Sequence, residues 1–99
     1  MAEKLVRDGI PGIIRSQGRE CECRVASEME MLPLLTMKLD EEVMEYKTDR
    51  NIEELADIME VLVSLAEYHG FSEDELIREC HRKRKERGSF TEGIVLRVE

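Results

Sequence analysis

The chain has 99 residues, enough for one domain with a single core but not for two. Hydrophobic residues make up 41% and aromatic residues only 4%, so Leu, Ile, Val and Met must build the core, as is typical of helical proteins. The formal net charge of −8 argues against a nucleic-acid or membrane-surface binder, because such proteins are usually basic.

The acidic residues are concentrated in the middle of the chain. Residues 20–67 carry 14 acidic and 4 basic side chains, a net charge of −10, whereas residues 1–19 stand at +2 and residues 68–99 are neutral. The sequence has neither a membrane-spanning apolar run nor the apolar stretch of a signal peptide. The three cysteines are an odd number, which does not fit a framework of disulfides. Together these features predict a cytoplasmic protein without a membrane partner.

The first predicted elements are short. Residues 4–8, KLVRD, are expected to be extended or irregular, and Pro11 is placed to open a short helix that Gly18 ends. Residues 21–25, CECRV, alternate weakly and predict a short strand or a connecting arm.

Three longer helices follow. The first is predicted from Ser27 to Lys47, but Pro33 implies an irregular first turn or a regular start near Leu32. The second begins after Asn51 and ends with Gly70 as its C′ residue. The third runs from the cap Ser72 to Arg87, and Cys80 is expected in the core. The tail, residues 93–99, is β-prone, and only residues 4–8 or 21–25 are available as its strand partner.

These elements predict an all-α fold. We expect a single domain over residues 1–99, an antiparallel helix bundle with short extended N- and C-terminal segments. The second long helix is apolar on most sides, and two neighbouring helices would cover it incompletely. The bundle is therefore expected to be completed by oligomerisation.

Two acidic pairs lie beside the predicted apolar faces. On a wheel of about 100° per residue, Glu42 lies roughly 60° and Glu45 roughly 120° from the apolar centre at Leu39, while Glu41 points away. On the next helix, Glu54 falls among apolar positions and Asp57 lies about 60° from it. An ionised carboxylate facing an apolar interior is costly unless it is compensated.

A hard divalent cation would compensate these acids. Antiparallel helices would bring the two pairs together, and Mg²⁺ accepts carboxylate oxygens, whereas zinc is disfavoured because the set has no His or Cys. The alternatives are a solvated acidic face for Glu42 and Glu45, and salt bridging of Glu54 by Lys38, Arg50 or a basic residue of the third helix. The third helix itself carries a stripe of basic residues. This stripe indicates either an anion-binding site or a solvated helix end.

The chain resembles the MazG-like, all-α nucleoside triphosphate pyrophosphohydrolases. The resemblance runs nearly end to end, and its most specific part is E-x-x-E followed by E-x-x-D on successive helices, together with K-x-x-x-R-G-x-F from Lys83 to Phe90. The other matching segments are KLVRD (4–8), IP (10–11), KLDEEVMEY (38–46) and EELADIMEVLVSLAEYHG (53–70).

The resemblance implies Mg²⁺-dependent hydrolysis between the α and β phosphates, giving a nucleoside monophosphate and pyrophosphate, with Mn²⁺ as a possible replacement ion. It implies house-cleaning of nucleotides by a homodimer or homotetramer. Glu42, Glu45, Glu54 and Asp57 would hold the metal. Glu41, Glu42 and Glu45 are candidate catalytic groups, and the candidate phosphate-binding residues are Lys38, Lys83, Arg87, Lys4 and Arg7.

Two other functions remain open from the sequence. The first is a phosphoribosyl-ATP pyrophosphohydrolase, which would use the same acids on a different nucleotide. The second is a non-catalytic helical module whose acidic face binds a basic protein. Glu54 discriminates between enzyme and module, because a module would present its acids to solvent.

Overall fold

The computed structural model describes residues 3–98, and every regular element within that range is a helix. The helices are α1 (Ile10–Ser16), α2 (Glu28–Asp49), α3 (Ile52–Tyr68) and α4 (Glu73–Arg87). The all-helical class and the order of the four predicted helices are therefore confirmed. Glu99, the last residue of the predicted tail, lies outside the described residues.

The helix starts follow the capping residues in the sequence. The Ser27 backbone N–H donates to Glu30 Oε2 at 2.8 Å, and the Asn51 side chain accepts the Glu54 N–H at 3.0 Å. Ser72 and Glu75 form a reciprocal capping box, each side chain accepting the other's backbone N–H at 3.1 Å. These bonds satisfy donors that the first helical turn leaves free.

The expectation for Pro33 was wrong, and one of the two alternatives for residues 21–25 is confirmed. The helix α2 is regular from Glu28 and continues through Pro33, because the capping box at Ser27 holds the first turn and proline removes only one intrahelical bond there. Of the two alternatives for residues 21–25 the structure has the connecting arm, and neither these residues nor residues 93–98 form a strand in the described chain. A single short β-prone segment has no sheet edge on which to pair in this all-helical surrounding.

The centre of the fold is the pair α2 and α3. Only residues 50 and 51 separate the two helices, so they pack side by side and antiparallel, and α4 packs on α3. Leu35, Val61 and Val63 are the hydrophobic residues buried in this arrangement. Within residues 3–98, α1 packs on none of the other helices.

Much apolar surface remains uncovered. Leu55, Met59 and Leu62, spaced along one side of α3, keep 38–45% of their surface exposed. The radius of gyration is 17.2 Å, against about 13 Å for a compact domain of this length. Cys80, expected in the core, is exposed, because only α3 packs on α4 and leaves most of its surface free. No described helix is both long and apolar enough to cross a membrane.

Candidate metal centre

The turn between α2 and α3 places acidic side chains of the two helices against each other. Arg50 ends α2 in the left-handed region, with φ 51°, and Asn51 caps α3 immediately afterwards. The chain therefore reverses within two residues. As a result, carboxylate oxygens of Glu42, Glu54 and Asp57 all lie within 4.8 Å of one another. Three of the four predicted metal ligands thus form one cluster.

Glu42 is the most deeply buried member of the cluster. Only 6% of its surface is exposed, and its Oε1 is ion-paired with Lys38 Nζ at 3.1 Å. The other oxygen, Oε2, is buried and has no hydrogen-bond partner among the described residues. A buried carboxylate oxygen without a partner is unfavourable, so the site retains an unmet requirement for positive charge or a donor.

Glu54 shows the same deficiency on the neighbouring helix. Its Oε2 is also buried without a partner, and no basic side chain within residues 3–98 forms an ion pair with it. Desolvation raises the pKa of Glu54, and the negative charges of Glu45, Asp49 and Asp57 raise it further. The salt bridges considered for Glu54 from the sequence are therefore not formed in this structure.

Glu45 and Glu41 lie at the margin of the cluster. Glu45 is solvent-exposed and falls outside the three-residue group, yet its carboxylate contributes to the raised pKa of Glu54. Glu41 is half-buried and accepts hydrogen bonds from Lys38 at 3.2 Å and Lys4 at 3.4 Å. Partial burial raises the pKa of Glu41, but these two cations outweigh it and leave the pKa below its ordinary value.

Basic side chains from two parts of the chain surround the acids. Arg7, in the segment before α1, donates to Asp57 Oδ1 at 2.7 Å. Desolvation lowers the pKa of Lys38, but its bonds to Glu42 and Glu41 outweigh that effect and raise it overall. The structure therefore brings Lys4, Arg7 and Lys38, three of the predicted phosphate-binding residues, to the acidic cluster.

Lys83 and Arg87 lie elsewhere on the surface. Both are exposed on α4, and their charges act on Glu79 of the same helix, whose pKa they help to lower after its hydrogen bond from Arg82. Within the described chain, no ion pair or hydrogen bond connects them to Glu42, Glu54 or Asp57. Within the described part of one chain, therefore, these two residues make no contact of this kind with the cluster.

The donor set fits a hard divalent cation. Opposite ligands of an octahedral Mg²⁺ ion are about 4.2 Å apart, and the three carboxylates already lie within 4.8 Å. The two unpartnered buried oxygens, on Glu42 and Glu54, are the atoms that most need such an ion. Asp57 also accepts from Arg7 through Oδ1, and the cluster contains neither Cys nor His, which favours Mg²⁺ over zinc.

The neighbouring cavity is small. It measures about 190 Å³ and is lined by the segment before α1 and by α2, including Lys4, Lys38 and Glu41. Sites for drug-sized ligands usually measure about 300–1,000 Å³. A larger cleft of about 450 Å³, around Arg15 and Cys21, is lined by none of the three cluster acids. The smaller cavity is connected to the acidic cluster through Lys38, which lines it and pairs with Glu42.

Signals for this cluster were only partly present in the sequence. The inward position of Glu54 follows from the helical period, whereas the contact of Arg7 with Asp57 joins residues fifty positions apart and has no local signal. Asp49, which contributes to the raised pKa of Glu54, was not among the predicted site residues. Comparisons with models of protein families, with curated proteins and with solved structures give no match.

Proposed function

We propose that this chain is a Mg²⁺-dependent nucleoside triphosphate pyrophosphohydrolase of the MazG-like type, cleaving between the α and β phosphates. The observation that carries the proposal is the pair of buried, unpartnered carboxylate oxygens on Glu42 and Glu54, beside Asp57. A protein-binding module would not need to bury such oxygens, since an acidic docking face acts from the surface. The cluster therefore favours an ion-binding enzyme over a module.

The metal would be held by Glu42, Glu54 and Asp57, with Glu45 as the nearest additional carboxylate. When bound, Mg²⁺ supplies charge neutralisation at the polyphosphate and lowers the pKa of a water molecule. Mn²⁺ is chemically close enough to replace it, since both accept oxygen ligands.

Lys38 and Arg7 bind the phosphates in this proposal. Lys38 is held by Glu41 and Glu42 at the mouth of the cluster, and its raised pKa keeps the ammonium group charged at neutral pH. Arg7 would be available to an anion if the ion held Asp57, and its fork of donors suits a phosphate. Lys4 lines the same cavity as Lys38.

Glu45 is the group best suited to accept a proton from water. It is exposed beside Glu54, and no ion pair within residues 3–98 engages it. Glu41 is less suited, because its contacts with Lys38 and Lys4 lower its pKa and so weaken it as a base.

A second copy of the chain completes the site in this proposal. The adjacent cavity is too small for a nucleotide, and the apolar side of α3 that carries Leu55, Met59 and Leu62 is uncovered. Association of two or four chains would cover this surface and supply further walls, including the α4 residues Lys83 and Arg87. Nucleotide house-cleaning in the cytoplasm is the cellular role that we infer for such an enzyme.

The test is a screen of canonical and damaged ribo- and deoxyribonucleoside triphosphates, and of phosphoribosyl-ATP, with and without Mg²⁺. Products are separated so that pyrophosphate is distinguished from orthophosphate. The proposal expects pyrophosphate and a monophosphate, only when Mg²⁺ is present. Release of orthophosphate and a diphosphate would contradict the cleavage position, and no hydrolysis of any nucleotide would contradict the activity.

A further inference from the structure

A pair of thiols lies on the segment between α1 and α2, away from the acidic cluster. The Cys23 thiol donates to Cys21 Sγ at a separation of 3.8 Å. The Cys21 thiol is directed at the carbonyl oxygen of Pro11, at 4.0 Å. The two side chains therefore converge, although the residues are only two positions apart.

The surroundings leave this pair accessible. Cys23 is exposed and Cys21 is half-buried. Cys21 lines a surface cleft of about 450 Å³ together with Arg15, Arg19, Glu20 and Glu22. A small oxidant with both carboxylates and amines, such as oxidised glutathione, meets groups of both signs in this cleft.

The backbone geometry allows the two sulfurs to bond. Cα atoms of residues two positions apart are separated by at most about 7 Å, and disulfides need about 4.4–6.8 Å. Residues 19–27 belong to no helix or strand, so a small change in their dihedral angles does not disrupt a regular element. The sulfurs must approach from 3.8 Å to bonding distance, a movement that side-chain rotation and a slight bend supply.

The third cysteine is placed differently. Cys80 is exposed on α4, and α4 packs on α3 but not on α1. Because neighbouring groups on a short flexible segment meet at an effective concentration of about mM, Cys21 and Cys23 react with each other before either reacts with another chain at micromolar concentration.

We propose that Cys21 and Cys23 form a reversible modification site, which closes to an intramolecular disulfide by exchange with a low-molecular-weight disulfide. The thiolate of Cys23 attacks one sulfur of the oxidant, breaks its S–S bond and releases one thiolate. Cys21, deprotonated in turn, attacks the Cys23 sulfur of the mixed disulfide and releases the second thiolate. Two protein thiols are oxidised, one external disulfide is reduced to two thiols, and the two protons pass to the buffer or the released thiolates.

The experiment uses the full chain and oxidised glutathione. Wild type, Cys80→Ser, and the Cys21→Ser and Cys23→Ser variants made in the Cys80→Ser background are incubated with increasing oxidised glutathione in mildly alkaline buffer, because the hydrogen bond with Cys21 raises the pKa of the Cys23 thiol. Remaining thiols are alkylated, and intact masses are measured. Circular dichroism confirms that each variant is folded.

The expected result is an internal disulfide in the Cys80→Ser variant, seen as the loss of two hydrogens and no alkylation, and fully reversed by dithiothreitol. The variants that lack one member of the pair should stop at the glutathione adduct. Stable double adducts in Cys80→Ser, or disulfide-linked dimers through Cys21 or Cys23, would overturn the proposal. The proposal would also be overturned if both thiols of Cys80→Ser could still be alkylated under conditions that modify the Cys21→Ser and Cys23→Ser variants.

Discussion

Glu42 on α2 and Glu54 on α3 each bury one carboxylate oxygen that no described residue satisfies, and oxygens of the two side chains lie within 4.8 Å of each other. Like charges this close destabilise one another unless a proton or a cation intervenes. The short turn at residues 50 and 51 brings the two helices together, so the approach of these carboxylates follows from the fold itself.

Neutralising Glu54 should stabilise the metal-free protein. Its pKa is raised in the folded state, so its destabilising contribution is absent below about pH 4.5, grows as the pH rises towards the folded-state pKa, and is complete above it. Glu54→Gln removes this contribution, and its Tm without Mg²⁺ should equal or exceed that of wild type at pH 7. Thermal unfolding should also show no Mg²⁺-induced rise in Tm for the variant.

The matched control for this prediction is Glu53→Gln, one position earlier on α3 and exposed. It changes the net charge equally but leaves the cluster intact. Mg²⁺ should raise the Tm of the control as much as it raises the Tm of wild type. An equal response in Glu54→Gln would contradict the assignment of Glu54 as a ligand.

Removing Arg7 should strengthen metal binding. Arg7 holds Asp57 at 2.7 Å and therefore competes with an ion for that carboxylate. The pair is partly exposed, so Arg7→Ala should lower the free energy of unfolding by no more than about 1 kcal/mol. Calorimetric titration with Mg²⁺ should show a several-fold tighter Kd, while Arg19→Ala, a basic-residue control outside the cluster, should bind as wild type. A weaker Kd in Arg7→Ala would refute the competition.

Acid should destabilise the N-terminal segment through Arg24. Its guanidinium lowers the pKa of Glu30 to about 2, with help from Ser27, and also lowers the pKa of Glu3. A depressed folded-state pKa contributes stability above the ordinary value of 4.5 that is lost as the pH falls towards about 2. Urea unfolding across that range should show a shallower pH dependence for Arg24→Gln than for wild type. Equal slopes would show that Arg24 does not pair with Glu3 and Glu30 in solution. The control is Arg97→Gln, which should keep the pH dependence of wild type.

The uncovered side of α3 should be an interface between copies of this chain. Leu62→Glu places a charge on this apolar surface, on the same side of α3 as Leu55 and Met59. Sedimentation should show an oligomer for wild type at micromolar concentration, and a dissociation constant at least about tenfold higher for the variant. Ile13→Glu, on an exposed position of α1, is the control. A folded wild-type monomer at that concentration would contradict the interface.

Local signals were sufficient for the helices but not for their surroundings. Ser27, Asn51 and Ser72 cap helices as their side chains predict, and the 3.6-residue period placed Glu54 inward. Pro33 was misread, because a proline near a helix start costs less than one in its centre. Cys80 was misplaced, because its apolar stripe has no second helix to cover it within the described chain.

The candidate site was predicted to a similar extent. Glu42, Glu54 and Asp57 meet as the two helical motifs require, whereas Glu45 is exposed at the margin. The ion pair between Arg7 and Asp57 depends on the path of a segment without regular structure, for which no periodicity exists. Whether Lys83 and Arg87 reach the cluster depends on neighbouring chains, which the sequence of one chain does not define.

The most direct test of the account is pyrophosphate release by wild type, Glu54→Gln and Glu53→Gln, measured on the substrate that the nucleotide screen identifies, across a Mg²⁺ titration. Substitution of even a supporting residue of a metal site typically costs about 10–100-fold in affinity or activity, and a ligand should cost at least that. We predict Mg²⁺-dependent release by wild type and Glu53→Gln, and loss of at least about 100-fold in Glu54→Gln. Full activity of a folded Glu54→Gln protein would contradict the account.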